Sequence, residues 1–225
     1  MDGKTVRWGQ LYRSDSLGKL TPAGADWERF LQLGIRTVVD LRYPWEINGR
    51  GRVPDHDGLT YYNLSIEHRP YDQAGLGDDV EPVTFLAERF AEVAQDGVVE
   101  LRSVLRVIGD DQAGPVVFHC ASGKDRTGIV AALVLILLGV SEADVVADFA
   151  LTGLATERLV ADWVRDNPRS SRRWPGYGQA PGALMQRFLD DLSARHGSVQ
   201  DFVLTELQVE PEVIAAMRAH LLAPA

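Results

Sequence analysis

One stretch constrains this chain more than any other: Gly114-Pro115-Val116-Val117-Phe118-His119-Cys120-Ala121-Ser122-Gly123-Lys124-Asp125-Arg126-Thr127-Gly128, followed by the apolar run Ile129 to Val140. Val116 to Phe118 is a short β-branched and aromatic run opened by Gly-Pro, which predicts a strand. Ile129 to Val140 is too long for a buried strand and suits a buried helix. The stretch therefore predicts a strand, a tight loop and a helix, and the loop is the candidate active site.

A cysteine, five residues and an arginine at such a turn suit phosphate-ester chemistry through sulfur. Backbone N–H groups of Ala121, Ser122, Gly123 and Lys124 can curl around phosphate oxygens, and the helix N-terminus adds its positive dipole end. Gly123 lets the backbone come close. The same field favours a thiolate, since cations and helix N-termini lower a cysteine pKa from its ordinary ~8.5. Cys120 is thus the candidate nucleophile. Arg126 offers a planar fork for two phosphate oxygens, a shape that lysine lacks. Thr127 can donate to the sulfur and help it leave from a phosphocysteine. Asp125 is a candidate general acid, and Lys124 adds charge at the rim. The ordinary alternative, a small buried cysteine before a Gly-rich turn, does not account for Cys, Arg, Thr and both flanking elements together.

Upstream, Trp8 to Arg13 predicts a first strand, and Thr21-Pro22 with Glu28 predicts a helix running to Leu33-Gly34. Ile35 to Leu41 predicts an interior strand that delivers Asp40 and Arg42 at its carboxyl end, where open α/β sheets bind ligands. Asp40 can serve there as a second acid or as an orienter of Arg126, or simply cap the following turn. Arg42 and Glu46 are expected to form an ion pair that holds the loop, and Arg13 to support it from behind. Leu59 to Leu64 predicts another strand. The polar loop after His68-Arg69-Pro70 carries Asp72, Asp78 and Asp79, rivals to Asp125 as the acid.

Apolar positions from Phe85 to Ile108 recur at three and four and predict one or two helices packed on the sheet. Ser141 is a candidate N-cap for a helix starting near Glu142. Gly153 to Gly182 predicts either a lid or a solvated connecting loop: a helix over Thr156 to Arg165, then Asn167 to Gly178, where Arg169, Arg172, Arg173, Trp174 and Tyr177 can offer charge and a flat face to a phosphorylated ligand. Met185 to His196 and Pro211 to Leu222 predict a terminal helical pair.

His119-Cys120-Ala121-Ser122-Gly123-Lys124-Asp125-Arg126-Thr127-Gly128 resembles the loop of the bacterial tyrosine phosphatases related to the secreted mycobacterial type-B enzyme. Leu11-Tyr12-Arg13-Ser14, Gly34-Ile35-Arg36-Thr37-Val38-Val39-Asp40-Leu41-Arg42 and the Gly197-Ser198 tail resemble the same family in order and spacing. The resemblance implies a cysteine phosphatase with a three-layer α/β fold, a mostly parallel central sheet flanked by helices and a helical lid. It also implies Asp125 as the acid and breadth towards phosphoproteins and phosphoinositides. Rhodanese-type carriers and arsenate reductases use cysteine loops too, but Lys-Asp-Arg-Thr-Gly does not resemble theirs.

A chain of 225 residues fits one domain, with the lid at about 153–183 and terminal helices at about 184–223. Its net charge of −9 argues against nucleic acid as a partner. Expected partners are a phosphotyrosine protein, a phosphoinositide or a small phosphorylated metabolite. No cofactor or metal is expected: the five histidines are scattered, and His119 is read as shaping the loop by hydrogen bonding. A single cysteine and no apolar leader or membrane segment point to the cytoplasm, with signal-less export open. Two alternatives stand beside a protein or lipid phosphatase: a small-molecule phosphatase using the same loop, and a phosphate-binding module without turnover.

Overall fold

The computed structural model describes residues 3–66, 69, 76–169 and 174–224. Its centre is a four-stranded parallel sheet made of β2 (Leu11–Ser14), β3 (Thr37–Asp40), β4 (Thr60–Asn63) and β5 (Val116–His119), in the order β2-β5-β3-β4. The two inner strands, β3 and β5, are buried along their whole length, which explains why both read as nearly continuous apolar runs. Register places Ser14 opposite His119, His119 opposite Asp40, and Asp40 opposite Asn63. A row of polar side chains therefore crosses the carboxyl ends of all four strands.

Strand alternation divides the core into two layers. Val38 and Val117 face a small cluster with Leu17, Trp27, Phe30 and Val53, under helices α1 (Ala25–Gln32) and α2 (Pro44–Arg50). Val39, Val116 and Phe118 face the larger cluster. That side holds α3 (Pro82–Asp96), α4 (Val98–Gly109), α5 (Asp125–Leu137), α6 (Glu142–Ala150), α8 (Gly182–His196), α9 (Val199–Thr205) and α10 (Pro211–Leu221). The result is the expected three-layer α/β arrangement. Helix α5 is buried from Arg126 through Val134, as its nearly unbroken apolar sequence requires. Ser141 Oγ accepts the Asp144 N–H and caps α6.

Several expectations need correction. The first sheet strand begins at Leu11, not Trp8, because Trp8 and Gly9 form a turn in which Gly9 has φ +73° and Trp8 is exposed. A separate strand β1 (Lys4–Val6) pairs antiparallel with β6 (Leu222–Pro224), joining the two ends of the described chain. Thr21 to Gly24 is a turn, closed by Gly24 N–H donating to Thr21 O at 2.8 Å, so α1 starts at Ala25. The terminal helical pair is three helices, since Ser198 caps the short α9 between the two that were expected.

Helix α7 (Thr156–Asp166) lies where the sequence predicts a helix. Ion pairs tie it across the carboxyl end of the sheet: Lys19 to Asp162 at 3.4 Å, Arg158 to Asp15 at 2.5 Å, and Arg50 to Asp166 at 3.3 Å. Trp174 is not a ligand face. It is 2% exposed, packs edge-on against Phe85 with centroids 5.5 Å apart, and donates from Nε1 to Val80 O. Arg172 and Arg173 lie outside the described residues, as do His68 and Asp72.

Candidate active site

Cys120 follows β5 directly, residues 121–124 form the bend, and Asp125 opens α5. The loop is pinned against the end of β2. Ser16 N–H donates to Ala121 O at 3.2 Å, and Gly123 holds φ +68°. A Cβ on Gly123 would meet Ser14 O at 2.7 Å and Asp15 N at 2.9 Å, so both backbone angle and space demand glycine here. Helix α5 comes equally close to its neighbour. A Cβ on Gly128 would stand 2.9 Å from the Phe149 ring of α6. The bend thus has strand, helix and neighbouring loop all fixed around it.

Cys120 is 2% exposed and is a free thiol. Arg126, in the first turn of α5, is 7% exposed. Its Nη1 and Nη2 donate to Glu46 Oε2 and Oε1 at 2.7 and 3.0 Å, and Nη1 also reaches Leu41 O at 3.2 Å. Glu46 Oε2 accepts the Tyr43 N–H at 2.8 Å, closing a capping box at the start of α2, where Pro44 fixes the first helical position. Burial works against the charge on Arg126, but the Glu46 hydrogen bonds and the field of Cys120 outweigh it and hold its pKa above the ordinary arginine value. Burial likewise penalises the Glu46 carboxylate, and Arg126 outweighs that and holds it below its ordinary range.

Expected pairings around Arg42 are exchanged. Arg42 pairs with Asp40, donating from Nε to Oδ1 at 2.9 Å and from Nη2 to Oδ2 at 2.7 Å, and it also meets Ser16 Oγ and Gly51 O. Glu46 pairs with Arg126. Asp40 therefore does not orient Arg126. It accepts the Arg42 N–H at 3.1 Å, the turn-capping role, and Tyr61 Oη donates to it at 3.0 Å. Burial raises the Asp40 pKa, but Arg42 and His119 prevail and hold it low, which makes it a poor second acid. Arg13 joins β2 to α6 through Asp148, at 2.9 Å to the carboxylate and 2.7 Å to the carbonyl, and these are its polar contacts among the described residues.

His119 lies beneath the loop, with Nδ1 3.1 Å from Cys120 O and Nε2 3.6 Å from Asp40 Oδ2. Burial pushes its pKa down. Lys124 is buried, and its Nζ is 3.2 Å from Asp125 Oδ1 in a pair too poorly aligned for a hydrogen bond. Asp125 Oδ1 and Thr127 Oγ1 are both buried with no hydrogen-bond partner among the described residues. Buried polar atoms are rarely left so, and both lie in the loop-helix junction where a ligand oxygen or the sulfur can use them. Asp78 and Asp79, by contrast, are exposed in the turn leading to α3.

Cysteine, arginine, a helix N-terminus, an acid beside Lys124 and a hydroxyl without a hydrogen bond among the described residues are together on one bend. A family model described as the tyrosine phosphatase family matches residues 1–223. The chain belongs to the tyrosine phosphatase family. A protein of Cupriavidus necator provisionally named a tyrosine-protein phosphatase is 30% identical, the match covering 98% of this chain and 81% of that one. A tyrosine-protein phosphatase of Nostoc commune is also 30% identical, over 76% of this chain and 55% of its own. The triple specificity protein phosphatase PtpB of Mycobacterium tuberculosis is 31% identical, over 69% of this chain and 65% of its own. The protein is a phosphatase and acts on phosphorylated substrates. Among the described residues no helix is long and apolar enough to cross a membrane, and no group of three or more His, Cys, Asp or Glu is placed to hold a metal ion.

Sequence alone gives Glu46 the wrong arginine and gives Tyr61 no role. Glu46 had a readable signal, the Pro44-Trp45-Glu46 helix start, but nothing local says that its carboxylate reaches Arg126, 80 residues away. Tyr61 looked like any β-strand aromatic, and only the parallel register of β3 and β4 aims it at Asp40.

Proposed function

We propose that this phosphatase works through a phosphocysteine on Cys120 and takes phosphotyrosine or other phosphoester groups of protein and lipid substrates. The observation that carries the reading is the junction itself: a buried cysteine at a strand end, an arginine fork gripped on one edge by Glu46, and the first turn of a long buried helix. In this reading Cys120 Sγ attacks phosphorus, and the backbone amides of Ala121 to Lys124 with Arg126 bear the charge of the flattened phosphoryl group. Asp125 gives its proton to the leaving oxygen; its place in the loop-helix junction, with an Oδ1 that makes no hydrogen bond among the described residues, supports that assignment over exposed Asp78 and Asp79. Water then attacks the phosphocysteine, while Thr127 Oγ1 donates to the departing sulfur. We read the chain as one domain, supported by a core cluster that runs from the sheet through α8, α9 and α10 without interruption.

The test is phosphate release by wild type and Cys120→Ser across phosphotyrosine peptides, phosphoserine peptides, phosphoinositides and nucleoside monophosphates. The reading expects release from phosphotyrosine peptides or phosphoinositides and none from the variant. Release that survives the substitution would reject the mechanism, and activity confined to nucleotides would reject the substrate class.

A further inference from the structure

A cavity of about 260 Å³ lies between α3, α8 and α9, in a part of the molecule that the chemistry at Cys120 does not use. Small side chains open it. Ala91 and Ala94 of α3 leave room beside Phe188 and Leu192 of α8 and Phe202 of α9, all three of them buried. The floor is therefore apolar, but the rim carries charge, for Asp191 and Arg195 line it from α8. A space of this size, just under the ~300–1,000 Å³ of drug-sized sites, suits a ligand with one bulky group and a compact head.

What the rim groups leave undone defines that head. Asp191 precedes Arg195 by four positions, the order in which an acid and a base favour each other on a helix. Elsewhere such neighbours pair: Glu92 with Arg89 at 2.7 Å, Asp162 with Arg165 at 2.8 Å, and Asp15 with Lys19 at 3.0 Å. Asp191 and Arg195 do not, and among the described residues neither has a hydrogen bond or an ion pair. They stand one helical turn apart, about 6 Å along the axis, and so bracket a head that carries both charges on one carbon. The next edge of the rim is already engaged. His196 Nδ1 is 3.7 Å from Glu206 Oε1, and the His196 ring lies 5.0 Å from that of Phe202.

We infer that this cavity is a binding site for a free α-amino acid with a large apolar side chain, held with the side chain against Phe188, Leu192 and Phe202, the carboxylate on Arg195 and the ammonium on Asp191. Burial of the side chain supplies the drive, and the two charge-assisted contacts supply the selection. An uncharged apolar molecule leaves both rim groups to water, and a singly charged one satisfies only one. The site is separate from the phosphate loop. The Phe188 ring meets Phe90 at 5.7 Å, Phe90 meets Phe149 at 5.9 Å, and only then comes α5, at Gly128. The inference therefore stands whether or not phosphate passes through Cys120.

The experiment is calorimetric titration of the full chain with L-phenylalanine, with phenylalanine amide, which keeps only the ammonium, and with N-acetylphenylalanine, which keeps only the carboxylate. L-Phenylalanine should bind saturably, and each analogue about tenfold more weakly, the loss expected of one charge-assisted contact. Asp191→Asn should erase the advantage over N-acetylphenylalanine alone, and Arg195→Gln the advantage over the amide alone. Ala91→Leu, which fills the space without touching a charge, should abolish binding of all three; if it does not fold, the two rim variants carry the test. Phosphate release by the rim variants should stay within about twofold of wild type, since distant sites act independently. Equal affinity for all three ligands would reveal an apolar crevice without head recognition, undiminished binding to Ala91→Leu would place the ligand elsewhere, and no saturable binding of L-phenylalanine would show that the cavity takes no such ligand; each of these overturns the inference.

Discussion

Arg42 and Arg126 each meet a carboxylate at the carboxyl end of the sheet, yet only the first is enclosed on every side. Arg42 is 0% exposed and divides its donors among Asp40, Ser16 and Gly51. Arg126 is 7% exposed, and among the described residues its hydrogen bonds run from Nη1 and Nη2 to Glu46 and Leu41, with Nε in none. One guanidinium is used up by the fold. The other is aimed by the fold and keeps donors to spare. The same residue pair, arginine with carboxylate, is thus a foundation in one place and a tool in the other, and the number of unspent donors separates the two.

If that contrast holds, the largest effect belongs to the foundation. Arg42→Met leaves the Asp40 carboxylate buried without its partner and should lower unfolding free energy by ~3–5 kcal/mol, since breaking a buried pair from one side exposes its full desolvation cost. Denaturant unfolding measures it, and the folded fraction should keep phosphate release within about tenfold of wild type. A stable but inactive Arg42→Met would break the contrast. Arg126→Lys should do the reverse, keeping the charge beside Glu46 and changing stability little while lowering kcat by about 10²–10³, the loss typical of one transition-state donor. Steady-state kinetics and a melting curve on the same sample decide it.

Glu46→Gln sharpens the comparison, because it loosens the aim of Arg126 without removing it. We expect kcat/KM to fall roughly tenfold, about 1.4 kcal/mol of transition-state stabilisation, with inorganic phosphate still bound. A Glu46→Gln enzyme with unchanged kcat/KM would mean that Arg126 needs no carboxylate to hold it.

Acid should act on both pairs and first on the histidine beneath them. His119 is buried with a pKa below its ordinary 6.5, so the unfolded chain takes up its proton first and stability begins to fall as pH drops below 6.5. Glu46 and Asp40 have pKa values below their ordinary 4.5 and 3.8, so their contributions are full above those values and are lost as pH falls through the lowered ones. Melting temperature against pH should therefore show a shallow limb below 6.5 and a steeper one below 4.5. His119→Gln should flatten only the first; if the limb below 6.5 persists in that variant, another group causes it.

The bend from Cys120 to Arg126 was legible in the sequence because everything that shapes it is local: a β-branched strand, a glycine that must take positive φ, and a long apolar helix. What surrounds the bend was not. The choice of Glu46 for Arg126 and Asp40 for Arg42 depends on how α2 docks after β3, and either arginine–carboxylate assignment is compatible with the spacing alone. Trp174 sits among polar residues and reads as a surface aromatic, but a carbonyl 94 positions away and the Phe85 ring draw it inside. The strand pair formed by β1 and β6 is three residues a side, too short to carry a periodic signal. Short elements and long-range charge pairing escape a reading based on periodicity, whereas a loop that folds on itself does not.

In the proposed mechanism phosphate passes through Cys120. Thr127→Ala removes the buried hydroxyl assigned to the departing sulfur and should slow hydrolysis of the intermediate more than its formation. Rapid quench of that variant during turnover of a phosphotyrosine peptide, followed by intact-mass and peptide mapping, should recover a phosphoryl group on Cys120 in most chains and none when Cys120→Ser is added. Undiminished turnover with no phosphoryl group on Cys120, or a phosphoryl group mapped to another side chain, would contradict the account.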